Sequence, residues 1–262
     1  FRPNTSPEAV LRAGAFGGGY FRDIASSVTG TSYTDAWREL PADWIRGLDV
    51  RTRLASKVYR ADVNKYGVDC GGKLDKTDAF GLQAWETSGW MRAQDPYGWF
   101  QWYCRFFQGR RSDDDQRQID RWVKCCGPTS GRWRSNLVAK VLRDGKTFDD
   151  ASVAPVVRQT LLHWGYELTE RDFLQSAKRV RARGAAYVPR SSIPTTENAG
   201  AQASTEMSST AVHEELSSSA AEEKRTEQTA SRAARAARRA RGDGTPTTTE
   251  GDADAAGRTP KR

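Results

Sequence analysis

The residues best suited to chemistry in this 262-residue chain are a cluster of cations near its middle. Ten arginines and lysines fall between positions 105 and 143, and their guanidinium and ammonium groups bind phosphate and carboxylate oxygens. Three of them, Arg117, Arg121 and Lys124, share one stripe of a predicted helix. The seven that we predict to contact an anionic partner are Arg110, Arg111, Arg117, Arg121, Lys124, Arg132 and Arg134.

The layout around these cations is similar to that of helix-turn-helix proteins. A predicted helix is followed by a short turn over residues 127–131 and by a second predicted helix that begins near Arg132. In helix-turn-helix proteins one such helix enters the major groove of DNA. We therefore predict a non-catalytic binding protein for an anionic partner, with nucleic acid, DNA or RNA, as the first candidate. A protein-interaction scaffold is an alternative, because Asp113 and Asp120 can each pair with a cation four residues later.

Two other groups of residues would favour an enzyme. His163 lies four residues before Glu167, a spacing that permits an acid–base pair on a helix. The run Asp113, Asp114 and Asp115 offers carboxylates of the kind that bind Mg²⁺, but adjacent helical positions point apart, and helix capping explains all three. The chain contains no G-x-S-x-G, H-E-x-x-H or phosphate-binding-loop motif. The sequence leans away from catalysis and predicts no cofactor and no metal.

The four cysteines, Cys70, Cys104, Cys125 and Cys126, form no C-x-x-C pair. In a domain of this size they are typical of reduced interior thiols, which favours an intracellular protein. The chain begins at Phe1 rather than Met, so an N-terminal targeting segment could be missing, and localisation stays open. No apolar run approaches the ~20 residues of a membrane span, so we predict no such span and leave the oligomeric state open.

The elements that position these side chains are predicted from a sharp division in composition. All 26 aromatic residues lie at or before Tyr187, and residues 191–262 have none. Those last residues hold 10 basic and 11 acidic groups of the chain's 41 and 33, so residues 1–190 carry a net charge of +9. We predict three segments: a loop-rich, glycine-containing segment at 1–35 that packs on the core, an aromatic-rich helical domain at 36–188, and a disordered low-complexity tail at 189–262 with an Ala/Arg block at 230–242.

The predicted fold class is mainly α, a single compact multi-helix domain with a loop-rich N-terminal third. Residues 97–108 are apolar around most of a helical circumference, which predicts a buried central helix that has Asp95 as its N-cap. Apolar residues at helical spacing predict further helices that start near Ser112, Arg132, Ser152 and Thr169. No strand pattern is present.

The glycine-rich residues 14–19 permit two interpretations. Such a stretch can cradle a phosphate, but it has neither the G-x-G-x-x-G order nor a preceding strand pattern. A tight turn that inserts Phe16, Tyr20 and Phe21 into the core is favoured, because glycine readily adopts the positive φ angles of such turns.

An aromatic block, Asp95 to Arg111, is followed by a polar stretch from Asp114 to Ile119 and by Trp122. Residues 14–18, 64–68 and 127–133 accompany this block. In these features the chain resembles a family of uncharacterised proteins over most of residues 12–170. The resemblance implies a single domain and brings with it no activity, fold or catalytic residue.

Overall fold

The computed structural model of the protein describes residues 1–70 and 81–182, with side chains as far as residue 179. Helices dominate these residues, which confirms the mainly α fold class. The predicted tail at 189–262, with its Ala/Arg block at 230–242, lies outside the described residues. The α-helices are α1 (Pro7–Ala13), α2 (Ala42–Ile45), α3 (Val50–Arg53), α4 (Leu82–Thr87), α5 (Trp99–Phe107), α6 (Asp115–Cys126), α7 (Arg132–Asp144), α8 (Pro155–His163) and α9 (Glu170–Ala182).

The loop-rich N-terminal third contains helix α1 and a β-hairpin, neither of which the sequence pattern predicted. Strands β1 (Ile24–Ser26) and β2 (Thr31–Tyr33) pair antiparallel, with Ile24 opposite Tyr33. Each strand has only three residues, too few for an alternation of apolar and polar side chains to stand out. The Glu86 carboxylate accepts hydrogen bonds from Ser26 and Ser27, which ties the hairpin to α4.

Helix α5 is the buried centre of the fold, as predicted. Trp99, Phe100, Trp102, Tyr103 and Cys104 are all buried, which matches a helix that is apolar around most of its surface. The predicted N-cap was wrong, because α5 begins after Gly98, whose φ is +84°, and the Asp95 carboxylate instead binds two arginines. The start of α5 is therefore set by a glycine turn.

The helices after α5 form the second half of the core. Helix α7 packs against α6, α8 and α9, and its buried face carries Trp133, Leu137, Val138 and Val141. Helices α6, α7 and α9 begin within three residues of the predicted positions, because each carries a regular apolar stripe. Among the described residues, no helix is long and apolar enough to span a membrane.

The glycine-rich segment forms the predicted tight turn, with a short 3-10 helix at Phe16–Gly18. Tyr20 and Phe21 are buried, and Phe16 packs half-buried against the same core. At Gly18, whose φ is +72°, an added Cβ would lie 2.0 Å from the carbonyl oxygen of Thr52. The turn therefore needs glycine, both for its backbone angle and for the close approach of the chain around Thr52.

This close approach leads to a first prediction. Replacing Gly18 by alanine is expected to lower the free energy of unfolding by about 2 to 3 kcal/mol, because strain at positive φ adds to overlap with a backbone atom. Gly30→Ala is the matched control, since φ is +66° there and nothing lies within 4 Å of the added Cβ. The free energy of unfolding of this control should fall by about 1 kcal/mol, from the backbone angle alone. Chemical denaturation measures both, and equal losses would contradict the packing argument.

Candidate functional site

A mostly apolar cavity of about 140 Å³ lies between the glycine turn, the β1–β2 hairpin, α4, α5, α6 and α8. Its lining is unusually rich in aromatic rings. Ring faces favour stacking with other flat, apolar groups. Six of the aromatic residues in the lining are Phe16, Tyr20, Trp90, Trp99, Phe100 and Trp164.

The position of Phe16 in this wall depends on His163 in α8. Phe16 has a φ of +54°, which is rare for a residue with a large side chain. Its backbone N–H donates to His163 Nε2 at 2.9 Å, and the two rings stack with centroids 4.0 Å apart and an interplanar angle of 17°. His163 therefore holds a strained turn in place and also lines the cavity.

The hydrogen-bond partners of His163 fix where its proton lies. Nε2 accepts from the Phe16 N–H and lies 3.1 Å from the side-chain amide nitrogen of Gln159. That amide nitrogen also donates to the Gly14 carbonyl, and the Gln159 carbonyl accepts from the Tyr66 N–H, which orients the amide. With Nε2 accepting, the proton of the neutral ring sits on Nδ1. Burial lowers the pKa of His163 to about 3, so the ring is neutral near pH 7.

Cys70 faces the protonated side of the imidazole. Its Sγ lies 3.7 Å from His163 Nδ1 and 3.7 Å from the hydroxyl of Tyr59. Burial raises the pKa of Cys70 to about 12, although a hydrogen bond with Tyr59 acts in the opposite direction. A reactive Cys–His pair needs a thiolate or a histidine that can accept the thiol proton. This pair has neither, because the thiol is neutral and Nδ1 already carries a proton.

The acid–base pair that the spacing of His163 and Glu167 permits does not form in the described part of the chain. The Glu167 carboxylate forms an ion pair with Lys65, and the Glu167 backbone N–H donates to Asn4. His163 instead ends α8 and turns towards Phe16 and Cys70. Sequence reasoning missed Cys70 as the neighbour of His163, because the two are 93 residues apart and leave no local signal.

The aspartates at the start of α6 act within the protein. Asp115 accepts hydrogen bonds from the Ser112 backbone N–H, the Ser112 hydroxyl and the Trp102 indole. Burial alone would raise the pKa of Asp115, but these hydrogen bonds outweigh it and lower the pKa below its ordinary value. Asp114 pairs with Arg117, with Nε and Oδ1 2.5 Å apart. No group of three or more His, Cys, Asp and Glu side chains is placed to hold a metal in residues 1–70 and 81–182.

The seven predicted phosphate-binding cations do not share one exposed face. Arg134 is only 4% exposed, pairs with Asp172 at 3.2 Å and donates to Ser176. Arg121 is buried, donates to Gln118, and lies over the rings of Trp90 and Trp164 in the cavity wall.

The remaining five cations differ in exposure. Arg110 pairs with Asp95 at 2.6 Å, and Arg117 pairs with Asp114. Arg132 is half-buried over Trp133, whereas Arg111 and Lys124 are exposed. The turn between α6 and α7 was predicted correctly, but α7 is enclosed by three other helices. Nucleic-acid binding through this set stays a prediction.

Comparisons of the chain with protein-family models, with curated proteins and with solved structures found no match. The resemblance noted from the aromatic block therefore stays a prediction. Function must be inferred from the geometry of the described residues, and the aromatic cavity is the most specific feature they form.

Proposed function

We propose that this chain is a non-catalytic binding protein that holds a flat, mainly apolar small molecule in its aromatic cavity. The observation that carries the proposal is the cavity itself, about 140 Å³ and lined largely by aromatic rings from distant parts of the chain. An apolar cavity of ~150 Å³ accepts a benzene molecule. The size therefore favours a ligand of one or two rings over a dinucleotide or a long acyl chain.

The charges around the cavity favour a neutral or anionic ligand. Arg22 and Arg121 contribute to the lining, and no aspartate or glutamate does so among the described residues. Aromatic cages also bind quaternary ammonium ions, through attraction between the cation and the ring faces. Two guanidinium groups would repel such a cation, so we favour an uncharged aromatic ligand.

Binding without reaction follows from the protonation of the groups that line the cavity. His163 and Cys70 are both neutral near pH 7, with the imidazole proton directed at the sulfur. General-base and nucleophilic catalysis would need the opposite arrangement. Nucleic-acid binding is less well supported by the geometry, because Arg121 and Arg134 are buried.

Naphthalene is a suitable probe of this proposal. Saturable binding is expected in ligand-detected NMR, together with a rise in Tm in circular-dichroism melting, since a ligand that binds only the folded state stabilises it. Phenyltrimethylammonium, which is aromatic but cationic, is expected not to bind. If naphthalene neither saturates nor raises Tm, the proposed function fails.

Variants of two isoleucines locate the binding. Ile24 lines the cavity, so Ile24→Phe should fill part of it and weaken naphthalene binding about tenfold or more, a loss of roughly 1.4 kcal/mol. Ile119→Phe is the matched control, because Ile119 packs against the core without lining the cavity. Equal weakening in both variants would place naphthalene elsewhere on the protein.

A further inference from the structure

The turn that follows α8 is held by hydrogen bonds from distant parts of the chain. The last carbonyl groups of a helix have no partner within the helix and need donors from elsewhere. The Trp99 indole donates to the His163 carbonyl at 3.2 Å. The Trp122 indole donates to the Trp164 carbonyl at 2.9 Å. Because His163 and Trp164 also line the aromatic cavity, this turn forms part of its wall.

Residues 1–5, which we name the strap, supply a third hold on this turn. The backbone N–H groups of Asn4 and Thr5 both donate to the Gly165 carbonyl at 3.1 Å. The Asn4 side chain pairs in both directions with the backbone of Glu167. Its amide nitrogen donates to the Glu167 carbonyl at 2.8 Å, and its oxygen accepts from the Glu167 N–H at 2.9 Å. The strap therefore binds the two positions on either side of Tyr166, directly after the residues of the cavity wall.

The strap and the turn fit closely together. Gly165 has a φ of +65°, and a Cβ there would lie 2.8 Å from the Tyr103 ring and 3.1 Å from the Thr5 carbonyl oxygen. The Tyr103 hydroxyl donates to the same Thr5 carbonyl at 3.0 Å. The turn therefore has little room to shift while the strap is bound.

One aromatic side chain anchors the strap. The Phe1 ring packs edge-on against five other rings, with centroids 5.3 to 6.2 Å apart. Edge-to-face contacts between aromatic rings are favourable. Two of these five rings, Trp99 and Trp122, are the indoles that also hold the turn. The strap and the turn thus depend on one aromatic cluster.

The strap can nevertheless detach more easily than the core can open. Each of its five residues is exposed or half-buried. Segments with few buried contacts and with hydrogen bonds near water open at a lower free energy than core helices. Detachment would free the turn that carries His163 and Trp164. Since His163 accepts the Phe16 N–H and stacks on the Phe16 ring, movement of the turn also reaches this third wall residue.

We propose that the strap controls the aromatic cavity: the cavity holds its ligand while residues 1–5 are bound to the turn after α8, and detachment of the strap releases the ligand. This inference rests on the proposed function, because it requires that the cavity binds a small molecule. It adds the way in which binding is regulated. Coupling between two sites is reciprocal, so a ligand in the cavity also holds the strap in place.

Replacing Asn4 by alanine weakens the strap and leaves the described lining of the cavity unaltered. The variant loses both side-chain hydrogen bonds to Glu167. Naphthalene should bind it about threefold to tenfold more weakly, because a smaller fraction of the folded protein is competent to bind. A loss of global stability alone would not change the affinity of the folded protein. Arg2→Ala is the matched control, since Arg2 is an exposed residue of the same strap, and its affinity should equal that of the unaltered chain.

Amide hydrogen exchange measures the same coupling. The Phe16 N–H donates to His163 Nε2, so its exchange reports movement of the cavity wall. Without ligand, this exchange should be about threefold to tenfold faster in Asn4→Ala than in the unaltered chain, and unchanged in Arg2→Ala. In the unaltered chain, saturating naphthalene should slow the exchange of the Asn4 and Thr5 N–H groups, because the coupling is reciprocal.

The outcomes separate the two proposals. If naphthalene binds the unaltered chain and Asn4→Ala with equal affinity, control by the strap is overturned while the cavity function stands. The same conclusion holds if saturating naphthalene leaves the exchange of the Asn4 and Thr5 N–H groups unchanged. If naphthalene does not bind the unaltered chain, the proposed function fails, and control of ligand binding by the strap fails with it.

Discussion

Acidification from about pH 6.5 to 3.5 is expected to lower the free energy of unfolding by up to about 4 kcal/mol through His163 alone. Its pKa is lowered from the ordinary value of 6.5 to about 3 by burial. In the unfolded chain the imidazole takes up a proton below about pH 6.5, whereas in the folded protein it stays neutral until about pH 3. The unfolded state therefore binds more protons in this window, and stability falls by about 1.4 kcal/mol for each pH unit.

The groups that face His163 do not offset this loss. Cys70 and Tyr59 are neutral throughout the window, and Gln159 and the Phe16 ring carry no charge. Glu167, which could have balanced an imidazolium, is bound to Lys65. Protonation would also remove the acceptor of the Phe16 N–H, which further disfavours the charged ring in the folded protein.

Replacing His163 by glutamine isolates this contribution. The glutamine has no titrating proton, and its side-chain carbonyl can accept the Phe16 N–H. The free energy of unfolding of the variant should therefore lose most of its pH dependence between pH 6.5 and 3.5. Urea denaturation at several pH values gives the slope of unfolding free energy against pH for the unaltered protein and for the variant. Carboxylates with lowered pKa, such as Asp115, act mainly at lower pH and are present in both proteins. Equal slopes in the two proteins would contradict a buried neutral His163.

The helices of the second half could be predicted from the sequence because their information is local. Helices α6, α7 and α9 carry regular apolar stripes, and α5 shows its burial in an almost unbroken aromatic run. The three-residue strands β1 and β2 carry no such period. Where the period is short or absent, backbone pairing depends on distant neighbours.

The candidate site could not be predicted, because its members come together only in the folded chain. Phe16, Cys70, Trp90 and His163 lie far apart in sequence, and each alone is typical of an ordinary core residue. The phenyl group of Phe16 reaches the wall only through a backbone angle that sequence patterns do not reveal. The sequence showed that the fold would be aromatic, but tertiary packing decides that some of these rings surround a cavity.

The arginines show the same limit, because their spacing in the sequence does not reveal which of them are buried. A polar stripe on a helix is usually exposed, so Arg121 and Lys124 could not be told apart from their spacing. Arg121 is buried over Trp164, which is distant in the sequence, whereas Lys124 is exposed. Arg134 is buried against Asp172 of α9 in the same way. Much of the positive charge that suggested an anionic partner is thus paired inside the protein.

Asp95 is the strongest example of this internal pairing, and its replacement by alanine is expected to destabilise the protein by about 3 to 5 kcal/mol. Its carboxylate is 1% exposed, with Oδ1 3.0 Å from Arg105 Nη1 and Oδ2 2.6 Å from Arg110 Nη2. Removal of the buried carboxylate leaves two half-buried guanidinium groups without this counter-charge, and such a loss is costly where water reaches the charges only in part. Arg105 keeps Glu39 as a second partner, whereas Asp95 is the ion-pair partner of Arg110.

Asp62→Ala is the matched control, because Asp62 pairs with Arg60 at 2.7 Å on the exposed surface. An exposed ion pair contributes little, since water and salt screen both charges, so this variant should unfold at nearly the same urea concentration as the unaltered chain. The loss in Asp95→Ala should persist at high salt, because a buried pair is screened much less. If Asp95→Ala were no more destabilising than Asp62→Ala, Arg105 and Arg110 would not depend on this carboxylate, and their charge would be available to an anionic partner after all.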